Sequence, residues 1–141
     1  MKFIVSLILV CLCLSACKKD IDVISFSECH QAQNLDSAVI YNKLVGSWKW
    51  TKQNCFSSGK TTKADKTVIV SFNGNGSFTE MENAAVTAQG TWGLQREDIN
   101  YWGLSLSQYS KYLWGRILFC NNEVLFNSSY RDGCDNLFER Q

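Results

Sequence analysis

The sequence predicts an all-β domain, a barrel or a sandwich, from about Gly46 onward. Many short segments with the composition of β-strands follow this residue, and turn residues separate them at regular spacing. Val68, Val70 and Phe72 lie on one face of such a segment, which is the two-residue period of a strand. The clearest turn is NGNG at 73–76, because Asn and Gly tolerate the positive φ angles of tight strand reversals.

Residues 1–16, at the start of the chain, have the features of a signal peptide. One basic residue, Lys2, precedes an almost uninterrupted apolar run that reaches Leu14. This run is shorter than the roughly 20 apolar residues of a transmembrane helix, and small residues follow it, as in an export segment that is removed. The sequence LSAC at 14–17 resembles the lipobox of bacterial lipoproteins, which implies cleavage before Cys17 and acylation of its sulfur. An ordinary secretory peptide with an incidental cysteine is the alternative.

Acylation of Cys17 implies attachment of the mature chain to a membrane, because two or more acyl chains anchor stably where one chain binds marginally. Residues 17–34 have the composition of a linker and are expected to form a lipid-anchored tether, and residues 35–141 are expected to form one domain. Lys18 directly after the cysteine resembles the outer-membrane lipoproteins of Gram-negative bacteria. The periplasmic and the external face of that membrane are both compatible with the sequence.

The charges argue against nucleic acid as a partner. The whole chain has 14 basic and 13 acidic residues, and removal of Lys2 with the signal peptide leaves 13 of each. Such a balance provides no summed positive field for nucleic acid or for an anionic lipid surface.

Cysteine usage predicts two disulfides and no metal site. Two of the seven cysteines lie in the signal peptide, and a third is the predicted acylation site. The four that remain are Cys29, Cys55, Cys120 and Cys134. An even number in an exported chain favours two bridges. Zinc requires close ligand pairs with histidines nearby, and His30 is the only histidine.

One short helix is expected before the first strand, within NLDSAVIYNKLVG at 34–46. Asn34 or Asp36 can cap its start, and Gly46 suits its end. We place eight strands after it, at 46–55, 66–73, 77–82, 86–95, 99–104, 112–120, 123–127 and 135–140.

A helix followed by Gly46-Ser47-Trp48 resembles the opening of the lipocalins. The phrases KLVGSWKW, VSFNGNGSFTEMEN, GTWGLQ and YRDGCDNLFER resemble more specifically the small lipocalin-like lipoproteins of Gram-negative bacteria. This resemblance spans roughly Leu35 to Arg140. It implies an eight-stranded antiparallel up-and-down barrel, preceded by one short helix, that carries a small apolar molecule. It also implies that Arg140 stacks on Trp48, a structural cation–π contact.

An eight-stranded up-and-down barrel predicts which cysteines meet. Its last strand must pair with its first, since only this pairing removes the free edges. The end of strand one and the start of strand eight then share one end of the barrel, which predicts a Cys55–Cys134 bridge. The end of strand six and the tether share the other end, which predicts a Cys29–Cys120 bridge.

The interior of such a barrel is either filled by side chains or holds one small ligand. Loops 56–65, 83–85, 105–111 and 128–134 would ring its open end. The candidate ligand-binding residues are aromatic side chains expected in the upper interior: Trp50, Phe72, Phe78, Trp92, Trp102, Trp114 and Phe126. Aromatic residues at these positions also suit a packed core, and this alternative stays open.

Catalysis has little support in the sequence, and we expect no enzyme, cofactor or metal. His30 lies in the predicted tether, where we expect it to be solvated, and no serine or free thiol has an evident activating partner. Glu80 and Glu82 share one face of strand 77–82, in phase with Phe78, so the facing of this strand is left open. Carboxylates exposed to solvent are the expected arrangement, since unpaired burial of a charge is costly.

Two function classes follow. The first is a lipid-anchored envelope protein whose barrel binds a small apolar ligand. The second is a protein–protein interaction module, such as an envelope inhibitor of a hydrolase. Loops such as FSSGKTTKAD and SLSQYSKY suit both, because they mix serines, lysines and aromatic residues.

Overall fold

The computed structural model describes residues 20–141 as a mostly-β fold with two helices on its N-terminal side. The elements are α1 (Val23–Ala32), α2 (Ser37–Leu44), β1 (Gly46–Cys55), β2 (Lys60–Lys63), β3 (Val68–Phe72), β4 (Ser77–Glu82), β5 (Ala85–Arg96), β6 (Trp102–Leu106), β7 (Arg116–Cys120), β8 (Glu123–Asn127) and β9 (Cys134–Arg140). Neither helix within residues 20–141 has the length and apolar character that crossing a membrane requires. The predicted signal peptide and acylation site, residues 1–16 and Cys17, lie outside the described residues.

Eight strands form a nearly closed antiparallel barrel in the order β6-β5-β4-β3-β1-β9-β8-β7. Strands β1 and β9 pair from Trp48 opposite Arg140 to Cys55 opposite Cys134, and the two cysteines form a disulfide. The predicted fold class and the pairing of the last strand with the first are therefore confirmed. Strand β2 lies outside this order because it forms a hairpin with the upper part of β1. The prediction of a loop over 56–65 is wrong at β2.

The connection between β6 and β7 differs from the prediction. The segment predicted as a strand at 112–120 is extended only in β7, and residues 107–115 form a loop. Tyr112 and Leu113 of this loop are each 2% exposed, so their apolar character reflects a buried loop rather than a strand. Gly115 ends the loop with φ of +100°, and a Cβ there would lie 2.0 Å from the backbone oxygen of Asn127. Only glycine fits this position.

The predicted helix before the first strand is confirmed as α2. The carboxylate of Asp36 caps it by accepting a hydrogen bond from the N–H of Val39 at 2.8 Å. Ile40 and Leu44 are fully buried against the lower end of the barrel, the end at which β1 begins. The apolar face of α2 therefore closes this end.

The predicted arginine stack at the lower end is also confirmed. The guanidinium of Arg140 lies 4.4 Å from the centre of the Trp48 ring. The indole N–H of Trp48 donates to the carbonyl of Leu44 at 2.7 Å, which fixes the ring against α2. Gly46, which lies between α2 and Trp48 in the chain, has φ of +133°, and a Cβ at this position would lie 2.7 Å from Nη1 of Arg140. Backbone conformation and close packing both require glycine there.

Helix α1 lies in the segment that was expected to be a tether. Asp22 caps it, and its carboxylate accepts hydrogen bonds from the N–H groups of Ile24 and Ser25. Ile21 and Phe26 pack on outward-facing leucines of β7, β8 and β9, which are Leu118, Leu125 and Leu137. Only two residues of α1 are buried, so its apolar periodicity is too weak to predict a helix from the sequence.

Helix α1 also covers the edge of β7 at the gap between β6 and β7. No ladder joins these two strands, which end the sheet order within residues 20–141. The N–H of Phe119 in β7 donates instead to Nδ1 of His30 at 3.0 Å, and the carbonyl of Phe119 accepts from Nε2 of Gln33 at 3.0 Å. The predicted Cys29–Cys120 disulfide is present and joins the same two elements. His30 is 6% exposed, so the expectation that it is solvated is wrong.

The buried His30 should make stability depend on pH. Burial lowers the pKa of His30 below its ordinary value of 6.5, and the nearby Lys43 lowers it further. The unfolded chain therefore binds this proton more readily, so the stabilisation is complete above the unfolded pKa and is lost as the pH falls through the folded pKa. We expect the free energy of unfolding, measured with urea, to decrease from about pH 7 to about pH 5.

The control for this prediction is His30→Gln, whose amide oxygen can still accept from Phe119. The decrease over the same pH interval should be smaller in this variant. An unchanged decrease would assign the pH dependence to other groups.

Candidate functional site

A cavity of about 500 Å³ opens at the upper end of the barrel, where β1 ends and β9 begins. We call it the mouth pocket. Its lining residues are Trp50, Gln53, Asp65, Lys66, Tyr109, Lys111, Tyr112, Trp114, Ser128, Gly133 and Cys134. Its volume lies in the range of small-molecule sites in proteins. The mouth pocket is therefore the candidate functional site.

Trp50 and Tyr112 are the buried aromatic residues of the mouth pocket. Their ring centres are 5.0 Å apart, and both side chains are less than 5% exposed. Trp50 comes from β1, whereas Tyr112 comes from the 107–115 loop. Burial raises the pKa of the Tyr112 hydroxyl, and its hydrogen bond to Glu82 raises the pKa further. Tyr112 is therefore a hydrogen-bond donor at neutral pH.

Two carboxylates of β4 hold the 107–115 loop over the barrel interior. The hydroxyl of Ser110 donates to Glu80, which also accepts from the hydroxyl of Thr87 at 2.8 Å. The hydroxyl of Tyr112 donates to Oε2 of Glu82 at 2.9 Å. Glu80 is buried, so this face of β4 points inward, and the expectation that its carboxylate is exposed to solvent is wrong. Two hydroxyl donors, of the buried Ser110 and the exposed Thr87, compensate the burial of Glu80.

Two lysines stand beside the mouth pocket and share the carboxylate of Glu82. Nζ of Lys66 lies 2.9 Å from Oε1 and Nζ of Lys111 lies 3.6 Å from Oε2 of this residue. Hydrogen bonds from Lys66 and then from Tyr112 are the main causes that lower the pKa of Glu82. Glu82 itself does not line the cavity, whereas both lysines do. The cavity is therefore lined by two lysines and Asp65, and the two lysines share the neighbouring Glu82.

The structure places two of the predicted ligand-binding residues, Trp50 and Trp114, at the mouth pocket. Three others lie near the lower end. The indole N–H of Trp92 donates to the carbonyl of Asn73 at 3.1 Å, and its ring stacks on Tyr41 of α2 at 4.3 Å. Phe72 packs against both Trp92 and Phe78. These three rings fill the lower interior.

The last two predicted residues lie apart from the mouth pocket as well. Phe126 is fully buried and packs edge-on against Phe138 of β9, with ring centres 5.6 Å apart. Trp102 in β6 is half-buried, and the guanidinium of Arg96 lies 4.2 Å from its ring centre. The aromatic residues of the barrel thus divide into a packed core and a smaller group at the open end.

Four polar and aromatic residues of this site were not among the predicted ligand-binding residues: Lys66, Tyr109, Lys111 and Tyr112. Three of them belong to SQYSKY at 107–112, a stretch that was predicted to be partly loop and partly strand. In the sequence, their place in the site was indicated by the mixture of lysine and tyrosine in a loop expected at the open end.

The described residues offer no cluster of three or more His, Cys, Asp or Glu side chains that could hold a metal ion. Comparison of the chain with models of known protein families, with curated proteins and with solved structures gave no match. The function is therefore inferred from the geometry of the mouth pocket.

Proposed function

We propose that this chain is a lipid-anchored, non-enzymatic envelope protein with a lipocalin-like barrel that binds one small molecule with an apolar body at its upper end. The observation that carries the proposal is the mouth pocket, a cavity of about 500 Å³ in which four aromatic side chains meet. Most of the remaining interior is packed with buried apolar side chains. Binding at the mouth therefore requires no displacement of the core.

Two exposed rings in the mouth pocket support this proposal. Tyr109 is 77% exposed and Trp114 is 49% exposed. Exposed aromatic surface is favourable to cover, at about 25 cal/mol per Å² of apolar area. A flat apolar ligand between these rings would cover both.

The anchoring part of the proposal rests on the lipobox at 14–17 and on the signal peptide that precedes it. We propose the outer membrane as the location, because Lys18 follows the cysteine. The non-enzymatic part is supported by the structural roles of His30 and Glu80, whose buried polar atoms hold Phe119 and Ser110.

Titration with the neutral fluorescent probe N-phenyl-1-naphthylamine tests the proposed binding. We expect the full chain to bind the probe, and Trp114→Ser to weaken binding by about threefold or more, because an exposed aromatic ring of the pocket wall is lost. The matched control is Ile99→Ser, which removes an exposed apolar side chain that does not line the pocket. Equal binding by the two variants would place the probe elsewhere.

A protein–protein interaction module is the second candidate, and exposed rings around the upper end favour it. Phe56 is exposed beside Cys55, and Tyr109 and Trp114 are exposed on the other side of the mouth. Native mass spectrometry of the protein isolated from its own envelope separates the two functions. A co-purified small molecule supports the ligand-binding function, whereas a bound protein with an empty pocket supports the module.

A further inference from the structure

Trp50, which lines the mouth pocket, carries a buried hydrogen-bond donor without an acceptor. The indole Nε1 of Trp50 is shielded from solvent and has no hydrogen-bond partner among the described residues. The side chain of Trp50 lines the pocket and is 4% exposed. A buried donor that is left unpaired costs about 1–3 kcal/mol, and an indole N–H can only donate. A ligand that brings an acceptor to this group would remove that cost.

The two lysines of the cavity have N–H donors left for a negative ligand group. Lys66 and Lys111 line the pocket together with one acid, Asp65. Each ammonium group has three N–H donors, and the contacts with Glu82 use at most one of them on each lysine. The side chain of Lys111 is more than half exposed, so it can turn toward a ligand. A cationic ligand group would meet two like charges and no acceptor at Trp50.

We propose that the mouth pocket selects a molecule in which a flat apolar body carries an anionic acceptor group, such as a carboxylate or a sulfonate. The inference rests on the proposed ligand-binding function and specifies its ligand class. The anionic group accepts from Trp50 and is neutralised by Lys66 and Lys111. The apolar body lies against the exposed rings of Tyr109 and Trp114.

The anionic group and the apolar body of the ligand would lie in different parts of the pocket. Trp50 and Tyr112 are buried, whereas Tyr109 and Trp114 face solvent at the rim. An anionic group at Trp50 is removed from water, so hydrogen bonds from charged and neutral donors must replace its hydration. The apolar body needs only a rim that covers one or two of its faces. A wholly apolar molecule would leave the donor of Trp50 unpaired.

A matched pair of probes tests the inference. N-Phenyl-1-naphthylamine and 8-anilinonaphthalene-1-sulfonate have the same rings and differ by the sulfonate. We would titrate both into the full chain carrying Cys17→Ser, in which no acyl chain can compete for the pocket. The sulfonate probe should bind about tenfold or more tightly than the neutral probe, since a hydrogen bond to a charged group and a nearby cation both act on it alone.

Two variants locate the source of this selectivity. Trp50→Phe keeps an aromatic ring and removes the N–H, and Lys111→Gln removes one charge. Each should reduce the ratio of sulfonate affinity to neutral-probe affinity by about threefold or more, because each removes a group that acts on the anion. Lys49→Gln is the control, because Lys49 is an exposed lysine of β1 that does not line the pocket. Added salt should lower the preference in the unsubstituted pocket.

The outcomes distinguish the inference from the function on which it rests. Failure of both probes to bind would overturn the ligand-binding function itself. Equal affinity for the two probes, or tighter binding of the neutral one, would leave that function standing and overturn the anionic class. A preference for the sulfonate that survives both Trp50→Phe and Lys111→Gln would also overturn the inference, because the anion would then be bound by other residues.

Discussion

Replacing Cys29 and Cys120 by serine should lower the free energy of unfolding by about 4 kcal/mol. The disulfide links residues 91 positions apart, and closing a loop of this length restricts the unfolded chain by roughly that amount in the chain-entropy model. The loss should also be local, because this bridge holds α1 on the edge of β7. We expect the amide of Phe119 to exchange its hydrogen much faster in this variant, as measured by hydrogen exchange.

The second disulfide provides the matched comparison. Cys55 and Cys134 are 79 positions apart, so their replacement by serine should cost a similar free energy of unfolding. This bridge joins β1 and β9 at the upper end, far along the chain from α1, and the exchange of the Phe119 amide should then follow global unfolding alone. Equal local exchange at Phe119 in the two variants would contradict the assigned role of α1.

Asp135→Ala should have an effect of similar size, about 4 kcal/mol. One carboxylate oxygen of Asp135 accepts from the N–H of Ser128 at 2.7 Å, from the N–H of Ser129 at 2.8 Å and from Nδ2 of Asn127 at 2.9 Å. Asp135 is fully buried, so its removal leaves the two backbone N–H groups without an acceptor, at about 1–3 kcal/mol each before relaxation. Urea denaturation measures the loss.

Asp135→Asn should lose less stability than Asp135→Ala, since an amide oxygen can still accept from the two backbone N–H groups. Asp132→Asn, at an exposed position with φ of 59°, should change stability by no more than about 0.5 kcal/mol, because asparagine tolerates this backbone conformation. Similar losses in Asp135→Ala and Asp132→Asn would show that the hydrogen bonds of Asp135 carry little stability.

The effect of Asp135 should extend to the mouth pocket. The hydroxyl of Ser128 donates to the carbonyl of Trp114 at 2.5 Å, and both residues line the cavity. Asp135 positions Ser128 and thereby the wall at Trp114. Probe binding should therefore weaken in Asp135→Ala more than in Cys29→Ser/Cys120→Ser, whose cysteines do not line the pocket, when both variants are measured under conditions in which they remain folded.

Strand patterns and barrel closure were sufficient to predict the pairing of the first and last strands and both disulfides. Alternation in β3 and the NGNG turn have local causes, which are side-chain period and backbone conformation. Closure then required β1 to pair with β9, which predicted the Cys55–Cys134 bridge, and the up-and-down order of the strands predicted the Cys29–Cys120 bridge. The stack of Arg140 on Trp48 was predicted from the resemblance to the lipocalins. These features depend on topology rather than on exact packing.

Helix α1 and the 107–115 loop could not be predicted in the same way. The stability of α1 comes from contacts with residues about 90 positions away, at Phe119 and Cys120, and its own sequence buries only Phe26 and His30. Tyr112 becomes buried because Glu80 and Glu82 hold its loop over the interior. Nothing local in SQYSKY distinguishes that arrangement from an exposed loop or a strand.

The order of residues along this chain was enough to predict a cysteine-bridged β-barrel, since strand period and turn chemistry are local and closure is a rule of topology. The shape and chemistry of the mouth pocket came from distant segments folding together. Three parts of the chain contribute to it: Trp50 of β1, Lys66 of the segment before β3, and the 107–115 loop. They come together only when the sheet closes into the barrel. The burial of one indole N–H and the positions of two lysines depend on that packing, which no single segment encodes.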